Sequence, residues 1–326
     1  VDVAAPAAAD PVAPGGRPAR RGWSRSPRAL RIALLAAALA LVVLLADAAL
    51  LAARVDRVDV ELHPGPGTTW VLVGLDSRAD LPAGASSADF GSPADVPGSR
   101  ADVVLVVHRD GDRTVTVSVP RDLVVVSGQE ASRLALTWLD GPQATVDALC
   151  TLGIPTDHLV AVDLAGFASV VDAAGGIDVD VPTAVRDPAA GLALDRGGRQ
   201  RLDGATALAL VRSRHPEERV EGEWVPAVVD PDGRPAAAGA VLDALAARLH
   251  AAIWQPWRAQ RMGWAVSGAV AVDDGTGPLD LAALARVRPG PATVLPAGEP
   301  VGGTLARFPT EATRAALAAT GLSCAG

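Results

Sequence analysis

Lysine and tyrosine are absent from this 326-residue chain, phenylalanine occurs three times and cysteine twice. Every basic side chain is therefore an arginine. The chain has no GxxxxGK(S/T) phosphate loop, no Gly-x-Ser-x-Gly elbow and no dinucleotide-binding glycine fingerprint. Its five histidines (His63, His108, His158, His215 and His250) show no metal-ligand spacing, which argues against zinc. The net charge is −8, and an acidic body lacks the strong basic field that nucleic acid requires, so no nucleic-acid partner is expected. An anionic ligand must instead meet a local arginine cluster.

Half of the residues are apolar, enough for a sizeable core. The abundant alanine, glycine and proline suggest a GC-rich bacterial coding bias. That bias raises arginine everywhere, so only the placement of arginines is informative.

Residues 1–31 are rich in proline, alanine and glycine, carry six arginines against two aspartates, and read as a disordered cytoplasmic tail. Residues 32–51 form an apolar run broken only by Asp47. As a helix it rises about 30 Å, the thickness of a bilayer core. Residues 32–53 are thus expected to be a single transmembrane anchor at the cell membrane. The preceding arginines place the N-terminus in the cytoplasm and the main domain outside it. A cleaved signal peptide ending near Ala46-Asp47-Ala48 is the alternative, and it also exports the domain. Outside the cytoplasm Cys150 and Cys324 either oxidise to a bridge or remain two unrelated buried thiols.

Residues 54–67 read as a linker ending in Pro64-Gly65-Pro66-Gly67, and residues 68–320 as the exported domain. Strands are expected at 68–75, 102–108 and 114–119, the last two joined by an Asp110-Gly111-Asp112 hairpin turn. Helical spacing marks 143–152, 164–174, 204–211, 238–253 and 310–319, with strands at 159–162 and 177–181. Residues 79–99 read as a surface loop. Interleaved strands and helices indicate an α/β sandwich with a mixed sheet. Trp254, Trp257 and Trp264 are either membrane-surface anchors or ordinary packing residues.

Polar groups gather where apolar elements end, the usual place for binding loops. Asp76 and Arg78 follow the first of these strands, Arg100 and Asp102 precede the second, and Arg121 and Asp122 follow the third. Arg212 and Arg214 follow a helix. The planar fork of arginine suits a pyrophosphate, and neighbouring aspartates suit Mg²⁺ bridging phosphate oxygens. Taken singly, each of these residues reads better as a surface ion-pair partner.

Their order is more specific. The stretches VLVGLDSR (71–78), SRADVVLVVHRD (99–110), VTVSVPRDLVV (115–125), LGIPTDHLVAVDLAGFASVVDAAGGIDVDVP (152–182) and LDGATALALVRSRH (202–215) resemble the LytR–CpsA–Psr family of cell-wall glycopolymer transferases. The resemblance implies a three-layer α/β/α sandwich with a mixed central sheet, preceded by one transmembrane helix. It also implies an apolar tunnel for a polyprenyl chain, with arginines at its mouth. The implied reaction passes a polyprenyl-pyrophosphate-linked glycopolymer to peptidoglycan.

By position, Asp76 and Asp102 match the Mg²⁺ carboxylates. Arg78, Arg100, Arg121, Arg133, Arg212, Arg214 and Arg234 match phosphate binders or their supports. Asp102 and Arg121 are the expected catalytic pair, Asp122 is expected to orient Arg121, and His215 to support the arginine loop. Where the family carries Lys-Ile-Asn, this chain reads Arg133-Leu134-Ala135. Where it carries Asp-x-Gly-Arg-x-x-Arg-Gln, Arg234 is kept but Ala237 and Ala238 replace the second arginine and the glutamine. Each lost charged hydrogen bond costs roughly 1.5–3 kcal/mol. A member that binds the lipid without turnover, and an exported regulator or scaffold with an empty pocket, are therefore the alternatives.

Overall fold

The computed structural model describes residues 27–77, 98–128, 130–213, 215–227, 233–252, 254–287 and 292–324. The chain divides into two compact units, Val1–Ala48 and Ala49–Gly326. Helix α1 (Pro27–Arg54) starts within the stretch expected to be tail, because Pro27 suits a first turn and an unbroken apolar run follows. Leu30–Arg54 is long and apolar enough to cross a bilayer, and its side chains are exposed except for half-buried Asp47, Leu51 and Ala52.

The second unit opens with β1 (Asp56–Val58), β2 (Thr68–Leu75), β3 (Ala101–Asp110), β4 (Arg113–Val119), β5 (Val124–Ser127) and β6 (Glu130–Arg133). Helices α2 (Leu134–Thr137) and α3 (Pro142–Thr151) follow, then β7 (His158–Asp163), α4 (Leu164–Ala173) and β8 (Ile177–Val181). Next come β9 (Val185–Asp187), β10 (Leu192–Leu194), β11 (Gly198–Leu202), α5 (Gly204–Arg212), β12 (Glu217–Val220) and β13 (Glu223–Pro226). The remainder is α6 (Gly233–Ala252), α7 (Pro256–Ser267), β14 (Val270–Asp273), α8 (Pro278–Arg286), β15 (Thr293–Val294) and α9 (Glu311–Thr320).

Seven strands form a mixed sheet in the order β1-β14-β7-β2-β3-β4-β15. Strand alternation builds the layers on either side of it. Val71 and Val73 of β2, Val104 and Val106 of β3, and Leu159 and Ala161 of β7 face a core closed by Leu134, Leu149 and Leu317 from α2, α3 and α9. The intervening residues Trp70, Leu72, Val107 and Val160 point to the other face, against Leu284 of α8 and Val266 of α7. Leu149 is fully buried, and truncating such a leucine to alanine costs about 2–5 kcal/mol. A separate core joins α4, α5 and α6 to β8, β11 and the small sheet β10-β9-β12-β13.

The expected linker at 54–67 is instead part of this domain. Strand β1 pairs in parallel with β14, Val60 and Leu62 pack on the main core, and His63 accepts a backbone hydrogen bond from Thr156. Three residues of strand are too few for a period-2 signal, and the Pro/Gly cluster is the stronger local feature. The domain also continues past residue 320. Leu322 is buried, and Cys324 is bridged to Cys150 at a Cα–Cα distance of 5.3 Å.

Candidate functional site

Topology brings distant residues to one end of the sheet. Strands β2 and β7 are parallel, with Leu75 opposite Asp163, so both finish at that end. Strand β3 is antiparallel to β2 and begins there, and β4, antiparallel to β3, finishes there. Asp76, Arg100, Asp102, Arg121 and Asp122 therefore share one rim, although 46 positions separate the first from the last.

Helix pairing adds Arg212. The Asp163 carboxylate caps α4 by accepting the Gly166 N–H at 2.7 Å, and Asp203 caps α5 through the Thr206 N–H at 2.8 Å. The Thr206 hydrogen bonds hold the Asp203 carboxyl below its ordinary range. The two helices run antiparallel, with Gly204 against Ala168 and Leu208 against Leu164. A Cβ at Gly204 would collide with the Ala168 carbonyl, so this approach requires glycine. Arg212 ends α5 one turn beyond Leu208, about 6 Å further toward the rim.

The rim is held by hydrogen bonds and ion pairs. The Arg100 carbonyl accepts the N–H groups of Asp76 and Asp102 at 2.9 and 3.0 Å, tethering the two acidic residues to one peptide. The Arg121 guanidinium donates to Asp102 at 2.8 Å and lies 3.7 Å from Asp122, while Arg133 donates to Asp122 at 3.0 Å. Asp102, rather than the expected Asp122, is thus the close partner that orients Arg121. Asp122 mainly joins Arg133, so Arg133 serves the loop as a support. The Ala135 N–H still donates to the Arg121 carbonyl at 2.8 Å, so losing the family's asparagine leaves this backbone link intact. The buried Nε of Arg100 has no hydrogen-bond partner among the described residues. A buried cationic donor without an acceptor favours an anion beside it.

Two supports had not been singled out. Asp187 is buried, and its carboxylate accepts the Ala189 N–H at 3.1 Å, the Ser213 hydroxyl at 2.8 Å and the His215 N–H at 2.8 Å. It therefore fixes the turn that leaves α5 at Arg212, and the His215 backbone is part of that hold. An aspartate directly before Pro188 was the available signal, since Asp-Pro marks a capped turn. Arg307 carries no such local cue. Its N–H donates to the Asp122 carbonyl at 2.9 Å and its carbonyl accepts the Val124 N–H at 2.7 Å, clasping the Pro-Arg-Asp turn from behind.

Arg78 and Arg214 lie outside the described residues, as does residue 129 in the hairpin joining β5 to β6. The side chains of Arg234, Ala237 and Ala238 lie outside them too, and so does most of the loop expected at 79–99. Two of the hollows lined by described residues lie away from the rim. One of about 350 Å³ is lined by polar groups including Asp172, Gln200, Arg201 and Asp203, and one of about 10 Å³ by Ala173, Arg248 and Met262. Neither is the apolar tunnel expected beneath the arginines, for neither is lined by Arg100, Asp102, Arg121 or Arg212.

Among the described residues no cluster of three or more histidine, cysteine or acidic side chains could cage a metal. Asp76 and Asp102 nonetheless supply hard carboxylate oxygens on adjoining strand ends. That donor set fits Mg²⁺ of the kind shared with substrate phosphates.

Residues 52–223 match the model of the LytR_cpsA_psr family. A probable cell wall biosynthesis protein, LcpB of Corynebacterium glutamicum, is 33% identical over 174 residues, which are 49% of this chain and 40% of the relative. The polyisoprenyl-teichoic acid–peptidoglycan teichoic acid transferase TagU of Halalkalibacterium halodurans is 29% identical over 46% of this chain and 45% of its own length. The chain thus spans less than half the length of these curated relatives. Among solved structures, a LytR-Csp2A-Psr enzyme from Actinomyces oris is 36% identical with a TM-score of 0.67, covering 83% of this chain and 97% of that one.

Proposed function

The chain belongs to the LytR_cpsA_psr family, and on that premise we propose that it transfers a polyprenyl-pyrophosphate-linked glycopolymer onto peptidoglycan outside the cell. The observation that carries this reading is the rim itself. Arg100, whose buried Nε has no partner among the described residues, ties the backbones of Asp76 and Asp102 together through its carbonyl, and the Arg121–Asp102 pair lies at the same end of the sheet. A guanidinium fixed as Arg121 is by Asp102 can take a diphosphate without any proton adjustment.

In the transfer, a sugar hydroxyl oxygen bonds to the phosphorus on the glycopolymer side. The P–O bond to the polyprenyl phosphate breaks, and the hydroxyl proton passes to Asp102. Arg121 and Arg212 hold the phosphate oxygens as charge shifts to the leaving group. Asp76 and Asp102 would hold the Mg²⁺, which when bound neutralises part of the phosphate charge. Arg78, Arg214 and Arg234 are proposed to complete the binding set. The helix at Leu30–Arg54 is proposed to anchor the domain, with its N-terminus in the cytoplasm.

The test is transfer of a lipid-linked glycopolymer to peptidoglycan fragments by the purified chain, beside Arg212→Ala. Loss of transfer with an unchanged unfolding temperature is expected, and normal transfer by the variant refutes the reading. The alanines at 237 and 238 favour a second reading in which the lipid binds without turnover. That reading predicts co-purified polyprenyl phosphates and no transfer by the unmodified chain.

A further inference from the structure

Helix α7 has two unlike faces. Met262, 5% exposed, and Val266 turn inward, whereas Trp257 is 73% exposed and Trp254, just before the helix, is 82% exposed. Arg258 and Arg261 are exposed beside them, and the helix contains no acidic residue. Positions 257, 261 and 264 recur at helical spacing and share one face. Two bare indoles flanked by arginines are costly in water and suited to a lipid headgroup layer, where an amphipathic ring lies at the boundary and cations meet anionic phosphates.

The position of α7 indicates the occupant. Within the unit Ala49–Gly326, the last turn of α1 lies on this helix. The Arg54 guanidinium stacks over Trp264 at 5.2 Å from the ring centroid, and Leu51 reaches Gly263. Immediately afterwards β1 begins, with Asp56 opposite Ala271 of β14, and Val270 lies opposite Val162 near the end of β7. The chain therefore enters the sheet at the same end that carries Asp76 and Arg121. Arg121 follows β4, five strand spacings from β1 or about 24 Å.

We propose that Trp254, Trp257, Arg258 and Arg261 form an interfacial surface that docks on the anionic leaflet from which α1 emerges, holding the arginine rim over the headgroups. The proposal rests on α1 spanning the bilayer and is independent of whether transfer occurs.

The test uses the full chain, one copy per nanodisc, in phosphatidylglycerol and phosphatidylcholine. A nitroxide is placed in turn at Trp257→Cys and Trp254→Cys. Leu279→Cys, 83% exposed on α8 beyond the far end of β14, serves as the aqueous control. Both native cysteines are bridged, so each variant carries one label. Labels at 257 and 254 are expected to show an oxygen-to-nickel-chelate collision ratio about tenfold above that at 279, as for a residue below the headgroups. The ratio should fall when phosphatidylglycerol is removed, and an unchanged ratio overturns the role of the arginines. A label at 257 as open to the chelate as one at 279 overturns the docking. So does a label at 257 shielded in detergent in a concentration-dependent way, because a second copy is then the occupant. The readout contains no transfer step, so an inactive chain still tests it.

Discussion

The Arg121–Asp102 pair is the part of the rim whose energetics can be worked from the structure. Its atoms are 2.8 Å apart, and both side chains are about a fifth exposed (22% and 21%). At an effective dielectric constant near 20, unit charges about 4 Å apart attract by about 4 kcal/mol. Dehydrating the two ions offsets most of this, leaving a net coupling of about 1–2 kcal/mol, between an exposed and a fully buried pair. A double-mutant cycle of Arg121→Ala, Asp102→Ala and the double variant isolates that coupling when unfolding is followed by tryptophan emission. Each single change should destabilise by more than half of what the double change does, because each leaves one partly buried charge without its partner. Transfer should fall by about 10²–10³ in Arg121→Ala, the usual cost of removing one placed donor from developing charge. Arg121→Lys should recover stability better than activity, since it keeps the charge and loses the fork. Additivity within about 0.3 kcal/mol would mean that the pair is not coupled and that Asp102 does not position Arg121.

Three further outcomes are expected. Asp187→Ala should weaken binding of a polyprenyl diphosphate about tenfold, since one or two hydrogen bonds to the Arg212 turn are worth about that much; isothermal titration with unchanged affinity contradicts its role in holding that turn. Cys150→Ser with Cys324→Ser opens a bridge between positions 174 apart and should cost about 2–5 kcal/mol, read as a lower urea midpoint. The folded-state pKa of Asp203 is lowered by its bonds to Thr206, so its cap stabilises above the unfolded value and is lost as pH falls through the folded one. Asp203→Ala should therefore lower the unfolding temperature at pH 7 by the equivalent of about 1 kcal/mol and show a smaller difference near pH 3.

The long strands were legible because β2 and β3 carry apolar runs, β4 alternates valine with threonine and serine, and an Asp-Gly-Asp turn joins the last two; the helices were legible because apolar spacing ends at glycines such as Gly176, whose φ is +80°. Strands β1 and β15, of three and two residues, have no periodicity to detect, and α7 was hidden because its polar sequence, PWRAQRMGWAVS, carries too few apolar residues for a helical stripe. For the site, the residue types were visible but their partners were not. Asp102 and Arg121 lie 19 positions apart and meet only because β3 and β4 fold back on each other. Asp187 has a local cue in its Asp-Pro step, but its partners Ser213 and His215 lie in another segment; Arg307 clasps Asp122 and Val124 through its backbone and has no cue in its own neighbourhood.

Arg307 closes the Pro-Arg-Asp turn from behind, and the strand of chain after it runs through α9 to the sulfur bridge on α3. With the chain anchored at Leu30–Arg54 as proposed, translocation would deliver Asp76, Asp102 and Arg121 well before residues 298–324, which brace them. The Pro-Arg-Asp corner would then stay slack until Arg307 clasps it and the Cys150–Cys324 bridge closes.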